Sequence, residues 1–353
     1  MSQGVWDAAT LAHADFPKRR RAPHSLSWAG WCAARDLRVL LLGVMLGLGM
    51  VAGAAEPTFA ERLGWGPRDV VVILHVDDAG MHHASNRGVE ESLERGVATS
   101  FAIMMPCPWV PEMVRYVREH PGVDAGLHLT LTSEWERYRW GPVAGKSEVP
   151  GLTDPEGYLW RSVAQVVPRA NAAEVDREIR AQVAKAEAMG LKITHLDSHM
   201  GTLFARPEYF ERFLALGIEK QIPILACGGH LTHALRENGE AVTQLKPLIP
   251  RIWNAGLPVI DDLHTSSGDW PPAEKVQRLV ELLRSLKPGI TEVLFHASVP
   301  TDDFPRVTGS WNSRRGDTEA LTSPEVRKAI VDLGIRQTTW SELMKRRQAA
   351  SRM

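Results

Sequence analysis

A short histidine–aspartate–histidine stretch has residue types and spacing that suit metal binding or proton transfer. It reads His195-Leu196-Asp197-Ser198-His199. Because alternate side chains of an extended strand point to the same face, we expect His195, Asp197 and His199 to lie on one side. Two imidazoles and a carboxylate can hold a divalent cation or move protons, and the same residue types also occur as a buried structural cluster. The neighbouring motifs must decide between these interpretations.

An aspartate pair, Asp77-Asp78, follows the unbroken apolar run at 70–74. Adjacent carboxylates at one site repel each other unless a cation or a proton lies between them. One aspartate as a metal ligand and the other as a general base would resolve that conflict. A turn or a helix cap is the alternative interpretation, since aspartates often precede glycine in turns.

Single histidines end two other apolar runs, at His128 and His296. Each is either a hydrogen-bonded core residue or part of a site. One aspartate with His128 and a second histidine would form a hydrolytic metal site that leaves positions open for water and substrate. An imidazole at His296 could protonate a leaving amine. A further cluster receives no assigned role from the sequence: Asp261, Asp262 and His264.

Composition and absent motifs exclude several classes of protein. The chain has 353 residues and a formal net charge of −1, so nothing indicates a nucleic-acid or membrane-surface partner. It contains no Gly-x-Ser-x-Gly elbow, no Walker-type phosphate loop, no Gly-x-Gly-x-x-Gly after the first predicted strand, no His-Glu-x-x-His and no Cys-x-x-Cys. A serine nucleophile and a nucleotide site of these types are therefore not indicated.

The elements that must position these residues alternate between strand and helix about eight times. Strands are predicted at 69–76, 99–105, 123–129, 193–201, 222–227, 258–262, 291–296 and 335–338, and helices at 85–95, 111–119, 172–189, 207–216, 240–255, 273–286 and 323–333. This alternation is typical of an α/β fold, either a regular or irregular (β/α) barrel or an open doubly wound sheet. The candidate residues all follow predicted strands, and a barrel brings the carboxyl ends of its parallel strands to one mouth. We therefore favour the barrel.

The N-terminal residues 1–54 resemble a secretory leader. A basic segment that includes Lys18-Arg19-Arg20-Arg21 precedes the apolar run 39–51, and Ala52-Gly53-Ala54 supplies small residues for cleavage. We expect an exported protein, periplasmic or secreted, whose membrane contact is limited to this segment if it stays as an anchor. Residues 55–353 are predicted to form one catalytic domain, with a tryptophan-bearing insertion at 133–170 over the site. Cys107 and Cys227 either pair or remain buried thiols.

In order and spacing, three motifs resemble the YdjC-like carbohydrate deacetylases, which include chitooligosaccharide deacetylases and the HpnK-type group. They are Asp77-Asp78-Ala79-Gly80 with Asn86-Arg87-Gly88, Gly126-Leu127-His128-Leu129-Thr130, and 195–199. The resemblance extends over about residues 70–343. It implies a (β/α) barrel, one divalent cation (Mg²⁺ or Zn²⁺) and hydrolysis of an N-acetyl group on a sugar.

The resemblance also implies roles for individual residues. Asp78, His128 and His199 match the metal ligands, Asp77 the general base and His296 the acid. Asp197 would orient a ligand histidine from behind, with His195 beside it. The sequence departs from the family pattern at Ala79, at Gly201 and at Ala297-Ser298, where the family often has an aromatic residue, a further histidine and Pro-Gly. The changes at Ala79 and Gly201 bear on the sugar that is accepted rather than on the reaction, whereas Ala297-Ser298 directly follows His296 and bears on its match to the acid.

Two other functions remain open at the sequence level. The same barrel mouth could hydrolyse another amide or an ester, since barrels support many chemistries. An exported carbohydrate-binding protein without catalysis is the second alternative. The sequence predicts an N-acetylated sugar or oligosaccharide as the substrate and leaves the oligomeric state open.

Overall fold

The computed structural model describes residues 56–351, so the predicted leader at 1–54 lies outside the described residues. A seven-stranded sheet forms the centre, and every ladder in it is parallel. Its strands are β1 Val70–Ala79, β2 Ser100–Ile103, β3 Ala125–Leu129, β4 Leu196–Ser198, β5 Asp262–His264, β6 Gly289–Phe295 and β7 Arg336–Gln337. The spatial order is β4-β3-β2-β1-β6-β5, and the short β7 pairs with the first half of β1.

The sheet curls into an irregular (β/α) barrel, as the sequence predicts. Residues 222–227, predicted as a full strand, form single parallel bridges instead, Leu196 with Ile224 and Cys227 with Ile260. The Leu225 N–H donates to the carbonyl of Leu196 at 2.9 Å, and the Gly228 N–H donates to that of Ile260 at 2.9 Å. This segment therefore links the edge strand β4 to the residues that enter β5, which an open doubly wound sheet would leave apart.

Helices cover the outside of the sheet. They are α1 Phe59–Arg62, α2 His83–Glu94, α3 Val110–Glu119, α4 Val163–Val166, α5 Ala172–Ala188, α6 Pro207–Lys220, α7 Thr232–Asn238, α8 Ile249–Asn254, α9 Lys275–Ser285, α10 Phe304–Val307, α11 Trp311–Thr322, α12 Pro324–Asp332 and α13 Trp340–Ala350. Short 3₁₀ segments lie at Pro150–Leu152, His199–Phe204, Gly239–Leu248, Ser266–Asp269 and Pro272–Glu274. None of the helices in residues 56–351 combines the length and the apolar character needed to span a bilayer.

The central strand β1 explains why its sequence is continuously apolar. Residues 71–74 are fully buried because β1 lies between neighbouring strands and is covered on both faces. Burial of each such side chain contributes about 1.5–3 kcal/mol. The packed core thus fixes the position of β1 and, with it, the position of the polar residues at its end.

Several predicted elements differ from the observed ones. The helix predicted at 240–255 is a 3₁₀ segment followed by the short α8, because Pro247 and Pro250 cannot donate backbone hydrogen bonds. Six helices were not predicted: α1, α4, α7, α10, α11 and α13. The helix predicted at 85–95 begins earlier, because the His82 side chain accepts from the N–H of Ala84 and caps α2.

Candidate metal centre

The aspartate pair lies where the backbone of β1 departs from regular strand geometry. A register shift between Val76 and Ala79 and a left-handed backbone at Asp78 (φ 64°) interrupt the ladder with β2. In a regular strand Asp77 and Asp78 would face opposite sides, but here both reach the same group of histidines. Gly80 (φ 81°) completes the turn, and a Cβ there would approach the Val110 side chain to 2.8 Å. The close packing therefore fixes both carboxylates.

Asp78, His128 and His199 converge on one point. Asp78 Oδ1 lies 3.5 Å from His128 Nε2 and 3.4 Å from His199 Nδ1, and all three residues are at most 4% exposed. Asp78 Oδ1 has no hydrogen-bond partner within residues 56–351. Two donors that each lie about 2.1 Å from one tetrahedral ion are about 3.4 Å apart. The three donor atoms therefore fit a divalent cation between them.

Arg314 on α11 holds the other oxygen of Asp78. Its Nη2 atom lies 2.6 Å from Asp78 Oδ2, and its guanidinium also lies over the Trp135 ring at 5.7 Å. Burial alone would raise the pKa of Asp78, but the Arg314 guanidinium and His199 lower it well below its usual range. Asp78 is thus ionised, with Oδ2 bound to Arg314 and Oδ1 directed at the histidines.

His199 lies between two carboxylates. Its Nε2 atom is 3.0 Å from Glu134 Oε2, on the side away from Asp78. Burial would lower the pKa of His199, but Glu134 and Asp78 raise it to about 10. Glu134 therefore orients the ring so that Nδ1 faces the proposed cation position.

Asp197 contacts His128 from behind. Its Oδ1 atom lies 2.6 Å from His128 Nδ1, so the opposite nitrogen, Nε2, faces Asp78. Burial would raise the pKa of Asp197, but His128 and His75 lower it below its ordinary value. A carboxylate in this position fixes the tautomer of a metal-binding histidine.

Asp77 lies beside the three converging donors and contacts three histidines. Its Oδ1 atom is 3.1 Å from His75 Nε2 and 3.4 Å from His128 Nδ1, and Oδ2 is 3.9 Å from His296 Nε2. Asp77 is 1% exposed, whereas the His296 side chain is 18% exposed and reaches the mouth. Burial and the nearby Arg314 lower the pKa of His296, against the effect of Asp78.

His195 occupies a different position from His199. It lies with Asp197 and His75, its ring stacks on Trp340 at 5.6 Å, and it is fully buried. Alternation along β4 thus places His195 and Asp197 together, but β4 ends at Ser198, so His199 joins the separate group with Asp78. A Cβ at Gly126 would approach the His195 ring to 2.4 Å, so this glycine makes room for it.

Three residues of the site were not predicted from the sequence: His75, Glu134 and Arg314. His75 has a sequence signal, because it precedes Asp77 by two positions in an otherwise apolar strand and therefore shares its face. Burial would lower its pKa, but the adjacent carboxylates of Asp197 and Asp77 raise it well above the ordinary value. Glu134 and Arg314 come from loop and helix segments that only the tertiary fold brings to the site.

Asp261, Asp262 and His264, which received no role from the sequence, lie in three different environments. Asp261 accepts hydrogen bonds from the N–H groups of Phe59, Ala60 and Ile290, and so ties α1 to β6. Asp262 accepts from the N–H groups of His233 and Ala234 at the start of α7. His264 contacts Glu237 on α7.

The segment 133–170 borders the site through its first residues. Glu134 contacts His199, and the Trp140 ring lies 6.5 Å from the same histidine. The Trp140 indole donates to the carbonyl of Thr132 just before the segment and the Trp160 indole to that of Gly151 within it, whereas Trp135 is partly exposed. Cys107 and Cys227 are both free thiols, which is the second of the two alternatives that the sequence leaves open.

Known proteins resemble this chain over most of its described residues. A family model described as YdjC-like protein matches residues 71–332. A carbohydrate deacetylase from Thermus thermophilus is 33% identical over 276 residues, which cover 77% of this chain and 93% of the relative. Another from Brevibacillus brevis is 30% identical over 274 residues, which cover 77% and 99%. The crystal structure of a candidate cellobiose-phosphate cleavage protein from Enterococcus faecalis shares the fold, with a TM-score of 0.66 at 24% identity over 78% of this chain and 99% of that chain. The chain therefore belongs to the YdjC-like protein family.

Proposed function

We propose that this protein is a metal-dependent carbohydrate deacetylase that hydrolyses an N-acetyl group on an amino sugar to acetate and a free amine. The observation that carries the proposal is the convergence of Asp78 Oδ1, His128 Nε2 and His199 Nδ1, with the carboxylate of Asp77 beside them. The names of the relatives support the same activity, since both are carbohydrate deacetylases.

The three converging residues hold the cation in this proposal. A divalent cation, when bound, supplies Lewis-acid polarisation of the amide carbonyl and a lowered pKa for water. Two imidazoles and one carboxylate suit Zn²⁺ or another transition metal better than Mg²⁺, which prefers oxygen ligands. Arg314 keeps Asp78 ionised and Asp197 fixes the tautomer of His128, so both prepare the donor set.

Asp77 and His296 carry out the proton transfers in this proposal, Asp77 as the base and His296 as the acid. Asp77 removes a proton from the attacking water as its oxygen bonds to the acetyl carbon, and His75 stabilises the carboxylate from the buried side. His296 lies opposite, 3.9 Å from Asp77 Oδ2; it takes up the proton that Asp77 has removed and donates it to the sugar nitrogen as the C–N bond breaks. Water and amide thereby give acetate and amine without any further reactant.

The substrate approaches from the mouth, where Trp135 is partly exposed above Arg314. An aromatic face at this position suits stacking against the apolar face of a sugar ring. The leader-like residues 1–54 support export, so an extracytoplasmic polysaccharide or glycolipid is the substrate class that we propose. Cell fractionation with an antibody to the chain tests the location: its recovery only in the cytosol would contradict export.

The experiment that tests the activity is acetate release by the full chain from a panel of acylated compounds. N-acetylated amino sugars and their oligomers, O-acetylated sugars and N-acetylated peptides are compared with EDTA present and with Zn²⁺ or Mg²⁺ added back. We expect metal-dependent release from the N-acetylated sugars, abolished by Asp77→Asn and retained in the exposed control Asp332→Asn. Release from peptides or esters alone would favour the other hydrolase, and sugar binding without any release would favour the binding protein.

A further inference from the structure

A second group of metal-ligating side chains lies outside the Asp78 group. His233 and Glu237 are four residues apart on α7, which places them on one face of the helix, and His264 ends β5. One donor atom from each of the three lies within 4.8 Å of the others. His233 is 3% exposed and His264 is 2% exposed, and their rings meet edge-on with centroids 5.7 Å apart.

The two imidazoles each leave a buried nitrogen without a partner. Within residues 56–351, His233 Nε2 and His264 Nε2 make no hydrogen bond. The Nδ1 atoms are occupied, since the Glu237 carboxylate contacts His264 Nδ1 and Arg236 Nη2 lies 3.1 Å from His233 Nδ1. Buried polar atoms in folded proteins are nearly always satisfied. Two orphan nitrogens in one cluster therefore point to a ligand that the polypeptide does not supply.

Glu237 prepares His264 for such a ligand. An ionised carboxylate only accepts hydrogen bonds, so His264 Nδ1 carries the proton and Nε2 presents its lone pair. Burial would raise the pKa of Glu237, but His264 and the N–H of Thr265, which donates to Glu237 at 2.7 Å, lower it below the ordinary value. The cluster thus combines two imidazoles with a negative charge.

Arg236 controls the availability of His233. A guanidinium only donates, so His233 Nδ1 accepts from Arg236 and the ring proton lies on Nε2. The Arg236 side chain is 66% exposed, and its Nη2 atom also lies 3.7 Å from Glu237 Oε1. Its movement into solvent would let the His233 proton shift to Nδ1 and release the Nε2 lone pair. Cation binding at His233 therefore competes with this contact.

We propose that His233, Glu237 and His264 form a second metal site, in which the two Nε2 atoms bind Zn²⁺ or a similar transition-metal cation while Glu237 holds His264 from behind. Imidazole nitrogens are donors that these ions select, whereas Mg²⁺ and Ca²⁺ favour all-oxygen sites. A cation there ties α7 to β5, where Asp262 already accepts from the first N–H groups of the helix. The site holds the fold around the barrel mouth and takes no part in the hydrolysis.

The first test is the metal content of the full chain after saturation with Zn²⁺ and removal of the free ion. With both groups filled, we expect about two ions per wild-type chain and about one in His233→Gln and in His264→Gln. His199→Ala also lowers the content to about one, but by emptying the other group. The control His120→Ala removes an exposed imidazole that follows the last residue of α3 and should leave the content unchanged.

The second test uses calorimetric Zn²⁺ titration of the full chain carrying His199→Ala, so that the second group dominates binding. Adding Glu237→Gln should weaken binding about 10–100-fold, while adding Arg236→Ala should leave it as tight or tighten it. This pair spares both buried histidines and keeps the test valid even where His264→Gln fails to fold. The proposal is overturned where His199→Ala binds no Zn²⁺, or where Glu237→Gln binds as tightly as its parent.

Discussion

Replacement of Arg314 by methionine tests how the charge of Asp78 is balanced. The Arg314–Asp78 pair has an N···O distance of 2.6 Å, and its side chains are 9% and 1% exposed. Loss of one partner from a buried ion pair costs about 3–5 kcal/mol, because the remaining charge stays buried without compensation. His199, at 3.4 Å from Asp78, still supplies part of the positive charge. We therefore expect Arg314→Met to lower the free energy of unfolding of the metal-free protein by about 3 kcal/mol.

A cation at Asp78 should replace much of the lost charge. With saturating Zn²⁺, which binds the folded state, we expect the destabilisation to fall to about half. The assay is urea unfolding of the full chain followed by tryptophan fluorescence, once with EDTA and once with Zn²⁺. The matched control is Arg315→Met, whose exposed ion pair with Glu319 contributes less than about 1 kcal/mol. An equal loss with and without Zn²⁺ would refute the assignment of Asp78 as a metal ligand.

Three further predictions concern the acid, the buried histidine and the insertion. His296→Gln should slow release from N-acetyl sugars about 10²–10⁴-fold but barely affect an activated acetyl ester, whose leaving group needs no proton; equal slowing of both would contradict the acid role. Burial and His75 lower the pKa of His195 to about 4, against about 6.5 when unfolded. The unfolded chain therefore binds more protons between these pH values. The difference in free energy of unfolding between wild type and His195→Gln should shrink by about 1.4 kcal/mol per pH unit as the pH falls from 6.5 to 4. Urea unfolding over that range measures this difference, and a difference that stays constant would contradict the prediction. Trp135→Ala should raise the KM for oligosaccharides about tenfold, as for loss of one aromatic contact, with kcat little changed; steady-state kinetics that show a loss of kcat alone would rule out the stacking role.

The barrel could be predicted from the sequence because predicted strands and helices alternate regularly along the chain. Continuous apolar runs such as 70–74 mark strands buried on both faces, and polar residues at their ends mark the mouth. The segment 222–227 was predicted as a strand and forms only single bridges. An apolar composition indicates that a segment is buried, but it does not indicate how many hydrogen bonds the segment makes to neighbouring strands.

The site was predictable only in its residue types. In a regular strand the side chains of Asp77 and Asp78 would point to opposite faces. The left-handed backbone at Asp78 brings both carboxylates to the same group of histidines, and the sequence does not indicate this backbone conformation. Alternation likewise groups His195 with His199, which the end of β4 at Ser198 separates. Arg314 lies 236 residues from its partner Asp78, and no local pattern reports such a contact. Long-range pairing of charges is decided by the tertiary fold.

The central claim is that Asp78, His128 and His199 hold the cation that hydrolysis requires, while Asp77 acts as the base. Acetate release from N-acetylated sugar oligomers, measured as Zn²⁺ is added to the metal-free full chain, tests it most directly when bound Zn²⁺ is counted in the same samples. The account predicts that the wild-type chain releases no acetate without Zn²⁺ and recovers release when Zn²⁺ is added. His199→Ala should bind one ion fewer and release no acetate. Asp77→Asn should bind as many ions as wild type but release no acetate. Release at the wild-type rate by the metal-free chain, or by His199→Ala, would contradict it.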